Sequence, residues 1–207
     1  MVSTPVSATG TLDPMEAESS SVLEAAGFGI RAGARIIDFV ICNLIAFVSA
    51  IGLGIVVVVA ATVVQAPVEP VLARLGETGF VGYLAGVLAY VTYHTLSEGI
   101  HGSSVGKLVL GLTVVGETEG RCGLRSALVR PLGFFIDGLF FALPAYFAMR
   151  DSSIRQRIGD RWAHTRVVRR RSLAPDQRRT TGRLMGALAA GALGYALMIS
   201  FGQLLKL

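Results

Sequence analysis

Apolar residues fall in four blocks separated by polar, glycine-rich stretches. Ile36 to Val64 is the longest, and from Phe39 to Val64 it has 26 residues without a charged side chain. At 1.5 Å per residue this run exceeds a hydrocarbon core of roughly 30 Å. The β-branched stretch Ile55–Val59 would favour a strand in water. In lipid, a helix is the form that pairs every backbone group. Gln65, Pro67, Glu69 and Pro70 end the run, and a short loop with Arg74 and Glu77 follows. Phe80 to Leu96 predicts a second span, with Gly82 and Gly86 at small-xxx-small spacing and an aromatic edge of Tyr83, Tyr90 and Tyr93. Leu184 to Leu205 predicts the last span, and Gly186, Ala190 and Gly194 share one face for packing within the chain or between two copies.

The third block, Pro131 to Met149, is interrupted by Asp137, Gly138 and Pro144. A straight crossing there would put two basic loops on opposite sides of the membrane, against the positive-inside rule. A broken or re-entrant helix pair keeps both loops on one side, and Pro and Gly mark such breaks. Between spans two and three, Lys107 to Val115 is apolar and β-prone but too short to cross. It predicts an amphipathic strand or hairpin at the surface, closed by turn residues Gly116 to Gly123, which include Glu117, Glu119, Gly120 and Arg121. Thr165 to Val168 is a short strand that could pair with Leu110 to Val115.

Composition agrees with a membrane protein. The 207 residues are 52% hydrophobic and 16% charged, with mean hydropathy +0.60 and net charge +5. Eleven of the 19 Lys and Arg residues are arginines between Arg150 and Arg183. Beside membrane spans, such a block reads as cytoplasmic and attracted to anionic headgroups, not nucleic acid. Arg166, Arg169, Arg170 and Arg171 are the lipid-facing candidates. Residues 1–27 are rich in Ser, Thr, Ala and Glu without periodicity and read as a disordered tail rather than a cleaved signal. Cys42 and Cys122 imply no disulfide framework and no metal site.

Charge at the helix mouths carries the candidate chemistry. Arg35 and Asp38 are three apart, on one helix face and within reach of an ion pair. Two readings stand: a snorkelling pair that anchors the helix end, or an intramembrane functional charge. Asp137 is a further buried carboxylate, a transport group or a partner for an arginine or for backbone at a helix break. His94 and Glu98 share a face if the helix reaches them, with His101 beyond; Gly99 is expected to end the helix first. Ser104-Val-Gly-Lys107 superficially matches a phosphate loop, but position 101 is His where glycine is required, so no nucleotide site follows. Gly106 and Gly111 permit a tight turn and close packing. Lys107 is expected to meet lipid phosphate or a carboxylate such as Asp160. Asp160, among Arg155, Arg157 and Arg161, is expected to stay ionised and organise arginines. No Ser-His-Asp set, HExxH or cysteine-rich metal spacing is present, so neither an enzyme nor a cofactor is expected.

Three fragments occur in order: Arg31-Ala-Gly-Ala-Arg35-Ile-Ile-Asp38, Ser104 to Val115, and Arg155 to Val168, the last containing Arg157, Asp160 and Thr165. Together they resemble the RDD family of bacterial membrane proteins, named for an arginine and two aspartates. The resemblance covers about Phe28 to Val168 and implies Arg35, Asp38 and Asp160 as the family positions. Ser104 stands where threonine is expected, and Gly159 where histidine is common. The resemblance implies ligand or ion transport only in general terms.

The expected architecture is an all-α integral membrane protein with three full transmembrane helices (about 36–64, 80–96 and 184–207), a re-entrant or broken segment at 131–149 and a small surface strand element. The membrane domain covers 28–168 and a basic linker 169–183. The expected setting is the bacterial inner membrane, with the N-terminus and basic loops cytoplasmic. The expected function is transport, as cation/proton exchange or of a small ligand, through Arg35, Asp38, Asp137, His94 and Glu98. The competing expectation is a membrane scaffold that binds anionic lipid and other membrane proteins.

Overall fold

In a computed structural model, residues 23–205 are described, except 77–78, 118–119, 121, 138, 176–177 and 179–180. Glu77, Glu119, Arg121, Gly138 and most of the N-terminal tail therefore lie outside the described residues.

The described chain is mostly helical. Helix α1 runs over Phe28–Val63 and α2 over Glu69–Gly76, where a plain loop was expected. Helix α3 covers Phe80–His101 and α4 covers Val105–Val109. Strand β1, Leu112–Gly116, precedes three helical pieces: α5 (Leu124–Leu132), α6 (Phe134–Asp137) and α7 (Leu139–Arg150). The short α8 (Ile158–Trp162), strand β2 (Thr165–Arg169) and α9 (Thr181–Leu204) complete the order. Among the described residues, two helices are long and apolar enough to cross a membrane, Phe28–Val63 and Gly182–Leu204. Along α1 the large aliphatic and aromatic side chains stay exposed, with Phe39 at 66% and Phe47 at 64%. A surface of that kind suits lipid tails and would be a liability in water.

Helix α9 lies antiparallel along α3. A Cβ at Gly191 would fall 2.2 Å from the Ser97 hydroxyl, and one at Gly202 would fall 2.1 Å from the Ala85 Cβ. Glycine at these places lets the two helices approach, as small residues do in membrane bundles. Gly194 also faces α3, against Thr92 and Leu96, whereas Gly186 and Gly86 face open space. Of the expected α9 stripe, Gly194 is thus used inside the chain. On α3, Gly86 has no neighbour within 4 Å of where a Cβ would stand. Where α1, α3 and α9 meet, Cys42, Ala89, Tyr93 and Tyr195 form a buried cluster.

A second cluster, with Ala26, Ala34, Leu112, Val114, Cys122, Ala127 and Val167, lies under the sheet at the N-terminal end of α1. Strands β1 and β2 pair antiparallel, with Val114 opposite Val167. This is the pairing expected from the two β-prone stretches. The free edge of β2 takes a further partner: Ala26 N donates to Val167 O and Arg169 N donates to Glu24 O. Residues 24–26, assigned to a structureless tail on composition, are therefore ordered by backbone pairing to β2.

The Pro131–Met149 block is broken, with a turn at Gly133 between α5 and α6. Its two ends lie at the same end of the bundle. Arg130 reaches Glu98 near the C-terminus of α3, and Arg161 of α8 donates to Ala148 O at 2.8 Å. A chain that leaves and returns at one end of α1 and α3 does not run straight along them.

Candidate functional site

The mouths of α1 and α3 converge on α4, α5 and α8, and the buried charges collect there. Helix α3 continues past Gly99 to His101, so His94, Glu98 and His101 all lie on it; the expected stop at Gly99 is not observed. The left-handed turn comes at Gly102 instead (φ 93°).

Asp38 is 1% exposed and accepts three hydrogen bonds. The Tyr93 hydroxyl donates at 3.0 Å, Ser104 Oγ at 2.6 Å and Gly106 N at 2.8 Å. Tyr93 accepts in turn from Val105 N at 3.1 Å, so the carboxylate ties α1 to both α3 and the start of α4. Gly106 is needed here because a Cβ would lie 2.0 Å from Ala34 O. Arg35 and Asp38 stay within electrostatic reach of each other. Even so, these donors to Asp38 are all uncharged. Arg35 Nη1 donates to His94 Nε2 at 3.3 Å, with its guanidinium 5.1 Å from the Tyr90 ring centre, a cation–π distance. Since arginine only donates, Nε2 accepts and Nδ1 of His94 carries the proton. That proton is shared with Glu98 Oε1 at 2.9 Å.

Glu98 continues the network. Its carboxylate also takes Lys107 on one oxygen and Arg130 on the other. Lys107 thus meets a carboxylate, as expected, and the carboxylate is Glu98 rather than Asp160. Burial pulls its ammonium down to about 7, against the opposing pull of Glu98. Arg130 bridges to Asp160, with Nη2 at 2.8 Å and Nε at 3.1 Å from Oδ1. Burial works to lower the Arg130 value, but Glu98 and Asp160 together hold it above the usual guanidinium range.

Asp160 is fully buried and shared by Arg130, Arg31 and Arg157. Arg31 meets Oδ2, and Arg157 Nε lies 3.7 Å from that same oxygen. Arg157 N also donates to Oδ2 at 3.2 Å, closing the first turn of α8. Burial would raise the Asp160 carboxyl, but Arg31, Arg130 and Arg157 hold it well below the usual carboxylate range. Arg155 and Arg161, expected at Asp160, are placed elsewhere. The Arg155 carbonyl accepts from Arg31 Nη1 at 2.8 Å, at a turn where Arg155 adopts φ 53°, and Arg161 holds Ala148 O.

Asp137 is buried and accepts from Ile158 N at 3.1 Å and Gly159 N at 3.3 Å, tying the broken segment to the start of α8. Thr165 donates to Asp160 O at 3.4 Å, and Gly111 turns the chain at φ 65° and accepts from Arg170 N. Arg169 and Arg171 pair with Glu24, which occupies part of the surface expected to face headgroups. Arg166 lies half-buried on β2, with its Nε buried and without a hydrogen-bond partner.

Reasoning from the sequence missed Arg31, Arg130, Tyr93 and Ser104 as members of this cluster. A signal existed for Arg31, one helical turn before Arg35 on the same face. Nothing local marks Arg130, whose partners lie 30 and 32 residues away.

The family model of the RDD family matches residues 25–164 of the chain. No curated protein and no solved structure matches it.

Proposed function

The chain belongs to the RDD family, and on that premise we propose that it is a multi-pass inner-membrane transporter whose buried ionic network handles the transported charge. The observation that carries this reading is the hydrogen-bonded chain Arg35–His94–Glu98–Arg130–Asp160, with Lys107 joined to Glu98. A network of this size costs several kcal/mol to desolvate, and titratable chains beside the hydrocarbon are the usual apparatus of proton-coupled carriers. In this reading α1, α3 and α9 cross the membrane and the α5–α7 segment re-enters from the cytoplasmic side. The N-terminus and the arginine-rich loops are cytoplasmic, and the C-terminus lies outside. Asp38 is one of the transport candidates from the sequence. Here it is a fastener, because three uncharged donors already occupy it. Glu98 is the proton-carrying candidate.

The test is proton flux in proteoliposomes on adding sodium, potassium, lithium or inorganic phosphate salts. Solute-dependent flux in the wild type that Glu98→Gln abolishes supports the reading. A folded, inserted wild type without flux for any of these salts counts against it. That outcome favours a second reading, a non-catalytic scaffold, for which the internal saturation of Asp38 and Asp137 speaks. On that reading Asp38→Asn lowers recovery of membrane partners, with no flux to lose.

A further inference from the structure

Charge does not balance within the network. Among the described residues, Glu98 and Asp160 are its two carboxylates, and they serve Lys107, Arg130, Arg31 and Arg157. The imbalance is sharpest at Asp160, where three guanidiniums share one carboxylate.

Two guanidinium nitrogens there are buried without a hydrogen-bond partner, Arg31 Nε and Arg157 Nε. Both belong to side chains that converge on Asp160 Oδ2. An orphaned buried donor on a charged group costs more than a neutral one, so such a pair calls for an acceptor. Arg157 is also the outermost member. Its side chain is 18% exposed, against 3–4% for Arg130 and Arg31. A ligand therefore reaches the network first at Arg157.

We propose that the Arg157 side of this network binds a phosphate-class anion, held by Arg157 with Arg31 behind it. A guanidinium presents a planar fork that matches phosphate oxygens, and the surplus positive charge supplies the attraction that a metal cation would lack. The proposal rests on the reading of the network as the charge-handling site and gives the sign of the charge it accepts. The same chemistry could be met by free phosphate or by a phospholipid headgroup.

The test uses the full chain in an uncharged detergent. In one arm, delipidated protein is titrated with inorganic phosphate, with sodium chloride at equal ionic strength as control, and Tm is followed. In the other, protein extracted from its membranes is examined by native mass spectrometry for retained phosphatidylglycerol. The expected result for a free anion is a saturable, phosphate-specific rise in Tm that weakens about tenfold or more in Arg157→Gln. The expected result for a headgroup is retained phosphatidylglycerol that Arg157→Gln releases, with no response to free phosphate. Arg157→Lys, which keeps the charge and loses the fork, is the second variant should Arg157→Gln fail to fold, and it too should bind more weakly. A wild type with neither response, or folded Arg157 variants that bind like the wild type, would overturn the proposal. Since neither arm involves transport, its failure leaves the flux reading to be judged separately.

Discussion

Asp38 and Asp160 both lie within the stretch that the family model matches, and both are buried to within 1% of full coverage. They are satisfied in opposite ways. Asp38 receives a phenol, a serine hydroxyl and a backbone amide, all uncharged. Asp160 receives three guanidiniums, two of which are themselves deeply buried. The first pattern fastens one helix to its neighbours. The second concentrates charge where charge is expensive, and leaves cations in surplus. Two residues of one type, each in a polar fragment, thus have different physical roles, and the difference lies in the donors around them.

Breaking Asp160 should have the largest effect. Asp160→Asn leaves Arg31, Arg130 and Arg157 buried around a neutral amide, and removing one partner of a buried ion pair costs about 3–5 kcal/mol. Thermal unfolding in detergent should show this as the lowest Tm of the set. Asp38→Asn should cost less, about 1–3 kcal/mol, because the asparagine oxygen can still accept and no cation is orphaned at that carboxylate. A Tm loss for Asp38→Asn equal to that of Asp160→Asn would erase the distinction.

Acid should sharpen the same contrast. The Asp160 carboxyl has a folded-state value well below its ordinary 3.8. The unfolded chain therefore binds the proton more readily, and the stabilisation from Asp160 is complete above the ordinary value. It is lost as pH falls below 3.8 toward the depressed folded value. In Asp160→Asn the stability curve should be flatter across that acid range than in the wild type, as read from Tm against pH. An unchanged acid slope would mean that the three guanidiniums do not hold the carboxylate.

Asp137→Asn should have the smallest effect, about 1 kcal/mol, since this carboxylate holds two amides at the start of α8 much as a helix cap does. Limited proteolysis between Arg150 and Arg157 reports on it more sensitively than Tm, because the change loosens α8 before it unfolds the bundle.

Local pattern was enough to read much of the fold. The uncharged run from Phe39 shows as an exposed apolar helix, the 131–149 block is broken, although at Gly133 and with Pro144 inside a helix, and the two β-prone stretches pair. Each of these rests on neighbours in sequence, whose periodicity and breakers act locally. The network does not. Arg31 meets Asp160 across 129 residues and Arg130 meets Glu98 across 32, so no periodicity announces either pair. The same holds for Glu24 and residues 24–26, whose composition is polar and whose order comes from the edge of β2. Charge alone points Lys107 to a carboxylate but does not choose between Glu98 and Asp160. The helical run to His101 brings Glu98 closer, and that depended on Gly99 not ending α3.

The most direct test places Glu98→Gln and Asp38→Asn in the same proteoliposomes and measures proton flux against the wild type, per folded and inserted protein. Loss of flux in Glu98→Gln, with flux kept in Asp38→Asn, is the predicted result: the ionic network carries the charge and Asp38 holds the frame. Flux lost in Asp38→Asn and kept in Glu98→Gln would contradict the assignment and return the transport role to the mouth of the first helix.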